Sequence, residues 1–116
     1  MVLLVKAKYT NSIYFKFEDD FGEPMSLLGL NLKLQIISKK GEQILLKGIG
    51  SGLVVDPYNP GVLEVVLDEN ESSLLSSQPQ PLSYVLYYER EEGKVVMSSG
   101  IITAYKFSGE VREGEE

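Results

Sequence analysis

Apolar and polar residues alternate along most of this chain, and the alternation breaks wherever Gly, Pro, Asp and Asn cluster. Ile13, Phe15 and Phe17 fall on one side of a first clear run, with Tyr14, Lys16 and Glu18 on the other. The stretch from Glu18 to Gly29 then carries Asp19, Asp20, Gly22 and Pro24, and Leu30-Asn31-Leu32-Lys33-Leu34-Gln35-Ile36 alternates again. Successive side chains leave a strand on opposite faces. A period of two bounded by turn residues therefore predicts half-buried antiparallel strands.

The same grammar runs through the chain. Val2 to Tyr9, Ser12 to Glu18, Leu30 to Ser38 and Gln43 to Lys47 read as strands, the last two joined by a turn at Lys39-Lys40-Gly41-Glu42. Gly48, Gly50, Ser51 and Gly52 predict a loosely structured run around Leu53-Val54-Val55. Asp56-Pro57-Tyr58-Asn59-Pro60-Gly61 is a strong turn signal, and Val62 to Leu67 follows as a strand with Leu63, Val65 and Leu67 on one face. Ser83 to Arg90, a turn at Glu91 to Lys94, and a return from Val95 to Phe107 form a last hairpin, with Gly100 read as a bulge or a close backbone approach.

One segment favours helix. Asp68 can accept from first-turn amides and Glu71 stands three residues on, the reciprocal capping pattern. The prolines at Pro79 and Pro81 keep that helix short. About eight short strands and one helical crossover predict an all-β antiparallel sandwich, with a small closed barrel as the other arrangement open to such a pattern.

Length and composition narrow the possibilities. The 116 residues suit one domain, read as residues 1–107, with an acidic, glycine-punctuated tail at residues 108–116. A net charge of −6 with scattered lysines argues against nucleic acid as a partner. The chain has no Cys and no His, which removes disulfides, thiolate zinc sites and the usual proton shuttle. Met1 to Lys6 lacks the basic start and the length of a signal-peptide core, and no apolar run reaches membrane-spanning length. No membrane partner and an aqueous compartment are expected.

Candidate chemistry is sparse. Asp19, Asp20 and Glu23 share a turn but not the spacing of a calcium loop, so a solvated turn and no metal site are expected. Glu64 alternates with Leu63 and Val65 and should face outward, which leaves no sheltered acid for hydrolysis. Asn70-Glu71-Ser72 fits a glycosylation sequon only by coincidence with the capped helix. The seven tyrosines are more informative. Tyr84 and Tyr88 suit the core, whereas Tyr14, Tyr87 and Tyr105 are candidate interface residues, because tyrosine offers large contact area at little rotamer cost.

Taken in order, the elements resemble the small immunoglobulin-like domain of tailed-phage structural proteins, including the amino-terminal domain of baseplate upper proteins. The segment Asp19-Asp20-Phe21-Gly22-Glu23-Pro24-Met25-Ser26-Leu27-Leu28-Gly29 is similar to that family's turn before an alternating strand, although Ser26 and Leu28 stand where the family has Asp and Thr. Gly61 to Asp68 followed by Glu69 to Leu75 resembles its strand and capped helix. Tyr84 to Tyr88, Glu92-Gly93 and Gly100 to Ala104 resemble its final hairpin.

The resemblance implies an immunoglobulin-like sandwich and a virion part: a tail, baseplate, fibre-attachment or head-decoration subunit, assembled in the host cytoplasm. Its partners would be other virion proteins or copies of itself, as a homo-oligomer, with no enzyme activity and no cofactor. The other function considered is a carbohydrate- or receptor-binding module that uses surface tyrosines.

Overall fold

A computed structural model describes residues 2–105. The expected tail at residues 108–116 and the last two residues of the expected domain lie outside them. The elements in chain order are β1 (Val2–Lys6), β2 (Asn11–Lys16), β3 (Leu32–Ile37), β4 (Gln43–Ile49), β5 (Gly52–Val55), β6 (Val62–Leu67), α1 (Glu69–Ser76), β7 (Leu82–Arg90) and β8 (Gly93–Tyr105). The fold is all-β apart from that one short helix, as the alternation predicts. No helix among the described residues is long and apolar enough to cross a membrane.

The strands hydrogen-bond into one eight-stranded sheet in the order β1-β8-β7-β3-β4-β5-β6-β2. Most neighbours are antiparallel, but β1 runs parallel to β8 over Val2↔Ile101 to Lys6↔Tyr105. The other parallel contact is the seam of the sheet, where β4 meets β5 only at Gly48↔Gly52 and Ile49↔Leu53. The remaining ladders are antiparallel, as the alternation predicts. The loosely structured run also contains a true strand, because Leu53 pairs with Val65 and buries its side chain completely.

The sheet doubles over around one core. Inward residues of β1, β3, β7 and β8 share a cluster with those of β2, β5 and β6, among them Val5, Leu34, Leu86, Ile102, Phe15, Leu53 and Val65. The most direct sign is that Phe15 of β2 packs on Tyr84 of β7, with ring centroids 5.8 Å apart and planes tilted by 55°. Those strands are not neighbours in the sheet, so they meet face to face across the core. As expected, Tyr84 is buried, and its hydroxyl lies 3.1 Å from Ser98 Oγ. A buried phenol needs such a partner. Tyr88 packs partly against the same cluster.

The two ends of the sheet, β1 and β2, are consecutive in the chain, joined by residues 7–10. Asn11 ties that corner: its Oδ1 accepts from the Lys6 amide at 2.9 Å, and its Nδ2 donates to the Lys6 and Tyr9 carbonyls, each at 2.9 Å. The helix closes the same corner. Ser72, fully buried, donates through Oγ to the Tyr9 carbonyl at 2.8 Å.

The capping box is present as predicted: the Asp68 side chain accepts from the Glu71 amide at 2.8 Å, and Glu71 Oε1 accepts from the Asp68 amide at 3.0 Å. After the helix, Gln80 donates to the Leu75 and Gln78 carbonyls at 2.8 and 2.9 Å and accepts from the Ala104 amide at 2.9 Å, so one side chain fastens the helix exit to β8.

The irregularity in the last hairpin lies elsewhere than expected. Gly100 pairs regularly with Tyr84, and the register shifts between Leu86 and Tyr87, where Leu86 faces Ser98 but Tyr87 faces Val96. Met97 is the extra residue. The bulge keeps Tyr87 and Val96 on the outer face after the shift.

Candidate functional site

Two outer surfaces follow from the fold. The first belongs to β1 and β8. Because β1 ends the sheet, one side of its backbone has no neighbouring strand among the described residues, and on that side Asn11 holds the Lys6 amide and carbonyl. Its outward residues Val2 and Leu4 are 61% and 63% exposed, and Ile101, paired with Val2, is exposed beside them. Only Lys6 carries charge within β1. A free edge with an apolar outer face is a template for another strand, and soluble proteins usually blunt such edges with charge, proline or bulges.

The second surface is the outer face of β2, β6 and β5. Alternation turns Ile13 and Phe15 toward the core and Tyr14 outward, where it is 65% exposed. Register places Tyr14 opposite Glu64, and Glu64 opposite Val54. The Tyr14 hydroxyl donates to Glu64 Oε2 at 3.2 Å. The negative charge of Glu64 pushes the Tyr14 phenol above its ordinary range; the hydrogen bond to Glu64, burial and the charge of Asp56 act in the same direction.

The turn between β5 and β6 walls this face. Asp56 Oδ1 accepts from the Tyr58 amide at 2.8 Å, Asn59 Oδ1 accepts from the Gly61 amide at 3.1 Å, and the Asp56 amide donates to the Val62 carbonyl at 2.9 Å. Side chains bonded to their own turn hold its shape, and Tyr58 is left 96% exposed at its tip. Tyr14, Val54, Asp56, Pro57, Tyr58 and Glu64, with Val62, enclose a groove of about 300 Å³.

The three candidate interface tyrosines do not share one surface. Tyr14 lies in the groove. Tyr105 is exposed at the end of β8, where its carbonyl accepts from the Ala7 amide at 2.8 Å. Tyr87 does point to the outer face, between Lys33 and Val96, yet it is only 5% exposed. Lys94 covers it, with Nζ 4.9 Å from the ring centroid. As a contact residue Tyr87 therefore offers almost no free surface.

Sequence reasoning passed over Tyr58 and Asp56. The available signal was an aromatic residue between two prolines, since the ring of such a turn has no core to enter. In the acidic turn Asp19 Oδ1 accepts from the Phe21 and Glu23 amides at 2.8 and 3.0 Å. Among the described residues, no group of three or more His, Cys, Asp or Glu is placed to hold a metal ion.

A third feature is an apolar hollow of about 360 Å³ beside the β4–β5 seam, bounded by Leu27 to Leu30, Ile49, Gly50 and Leu53 to Val55. Compared with known protein families and with curated proteins, the chain matches none.

Proposed function

We propose that this chain is a non-enzymatic, immunoglobulin-like assembly domain of a tailed-phage virion, and that it docks to copies of itself through the free edge of β1. One observation carries the reading: among the described residues no strand lies beyond β1 along Val2 to Val5, while Val2 and Leu4 stand largely exposed. A strand from a second molecule would satisfy the backbone groups of that edge and cover that apolar face together.

The immunoglobulin-like part is supported by how the ladders divide. The strands β1, β8, β7, β3 and β4 run together, β5, β6 and β2 run together, and just two residue pairs join β4 to β5. The parallel β1–β8 pair and the Phe15–Tyr84 contact across the core fit a two-layered arrangement. The virion assignment is supported by the turn, helix and hairpin motifs at residues 19–29, 61–75 and 84–104. A chain without His or Cys suits a scaffold better than a catalyst.

Light scattering on the purified chain tests this. The wild type is expected to exceed the 12.9 kDa of one chain. The variant Leu4→Lys, which puts a charge on the edge, is expected to return to monomer mass with an unchanged circular-dichroism spectrum. A wild type that stays monomeric as its concentration rises would refute the edge as a docking site.

A further inference from the structure

We propose that the groove formed by Tyr14, Asp56, Tyr58 and Glu64 seats an arginine side chain presented by a partner polypeptide. The proposal rests on the reading that the domain works through protein contacts, and it assigns a second contact site on the opposite arm of the sheet from β1.

The charge balance of the groove points to a cation. Asp56 and Glu64 both line it, no Lys or Arg does, and neither carboxylate has an ion-pair partner among the described residues. Lys16, the next outward residue of β2, reaches Glu18 instead, at 3.4 Å. The same two charges raise the Tyr14 phenol above its ordinary range. Donors within the groove satisfy only part of the acceptor capacity: Tyr14 gives one bond to Glu64 Oε2, and the Tyr58 amide one to Asp56 Oδ1. A carboxylate has roughly four acceptor positions, so most remain open to an incoming donor.

The remaining walls select the kind of cation. Two tyrosines line the groove, and aromatic rings attract a positive charge; Val54, Pro57 and Val62 add apolar residues suited to an aliphatic stem. Arginine fits both halves. Its planar guanidinium stacks on aromatic rings and donates in a fork that matches a carboxylate, whereas a lysine ammonium is a strongly hydrated point charge. A neutral sugar ring could stack on the same tyrosines but would leave both negative charges without a counter-charge.

The test is an NMR titration that follows the Tyr14 and Tyr58 ring signals. The probes are N-acetyl-arginine amide, its uncharged counterpart N-acetyl-citrulline amide, and methyl glucoside. A saturable shift of both rings with the arginine probe alone is expected. Glu64→Gln should weaken it about tenfold, the size of one charge-assisted hydrogen bond. Tyr58→Ser should weaken it too, and that exposed turn position keeps the test independent of any effect of Glu64→Gln on folding.

An equal response to the citrulline or sugar probe overturns the proposal, as does an arginine response that survives Glu64→Gln, or no saturable response up to the solubility of the probe. Assembly mass does not enter this titration. A monomeric chain that still binds the arginine probe would remove the β1 reading alone, and an assembling chain with a silent groove would remove this one alone.

Discussion

Lys47 of β4 and Glu71 of α1 form a bidentate ion pair, with the ammonium 2.7 and 2.6 Å from the two carboxylate oxygens, that joins the middle of the sheet to the first turn of the helix. The Lys47 side chain is 8% exposed and that of Glu71 21%. Lys47 pairs with Leu34, so it points inward, and Glu71 is also half of the capping box. One carboxylate therefore caps a helix and neutralises a buried lysine.

That arrangement makes the two partners unequal. Glu71→Ala strands a buried ammonium and opens the cap, and should cost about 3 kcal/mol or more. Lys47→Met keeps the packing of the aliphatic stem and leaves Glu71 its bond to the Asp68 amide and some access to water, so a loss of about 1 kcal/mol or less is expected. Urea denaturation of the two variants checks the order. Equal losses would mean that neither the cap nor the stranded ammonium adds to the loss of the pair.

Gly52 exists where it does because of Lys47. Its φ of +98° is strained for any other residue, and a Cβ there would run into the end of the Lys47 side chain and lie 3.1 Å from the Val66 carbonyl oxygen. Gly52→Ala should cost about 2 kcal/mol from backbone strain, with the clash adding to it. In a Lys47→Ala background the clash with the lysine is gone, and the strain and the Val66 contact remain. The two substitutions should therefore couple in a double-mutant cycle, and strict additivity would contradict the close approach.

The Tyr14 phenol should ionise at higher pH than an ordinary tyrosine, because deprotonation places a second negative charge beside Glu64. Being raised in the folded state, it adds stability that is full below the usual tyrosine range and is lost as pH rises through the folded value. Phenolate absorbance, taken as the difference between wild type and Tyr14→Phe, measures it. Glu64→Gln should bring the titration down.

Lys33 and Glu89 shift in opposite senses. Their mutual hydrogen bond at 2.8 Å, then their opposite charges, raise Lys33 and lower Glu89. The Glu89 contribution is present above the ordinary carboxylate range and fades as pH falls through its lowered value. The Lys33 contribution is present below the ordinary lysine range and fades as pH rises through its raised one. The pair is accessible to water, so the effect is small and screened by salt. Chemical denaturation of Glu89→Gln should show less loss of stability on acidification than wild type.

How much of this was readable in the chain depends on how local each cause is. The strand Val62–Leu67 matches its expected bounds because Pro60-Gly61 starts it and the Asp68 cap ends it. The capping box was readable because both of its halves lie within four residues. Lys47 was not. A lysine after Ile44, Leu45 and Leu46 reads as the polar end of a strand, and its burial is stabilised by Glu71, 24 residues away. The strand at Gly52–Val55 was hidden for a similar reason, since Gly52, which looks like loop, is needed where the Lys47 side chain crosses.

The candidate site divides along the same line. That Tyr14 and Glu64 face outward follows from alternation alone. That they meet follows only from the β2–β6 register, 50 residues apart. Tyr87 shows the limit of alternation: its direction was legible, but its cover comes from Lys94 across the hairpin.

Amide hydrogen exchange across β1 as the protein concentration rises tests the central claim most directly. Assembly by strand addition predicts that the outward amides of β1 at Val2 and Leu4 become slower to exchange with concentration, while the Lys6 amide, already held by Asn11, and those of the interior strands β3 and β7 hold their rates. Exchange in β1 that ignores concentration, or new protection that appears only elsewhere, would contradict docking through this edge.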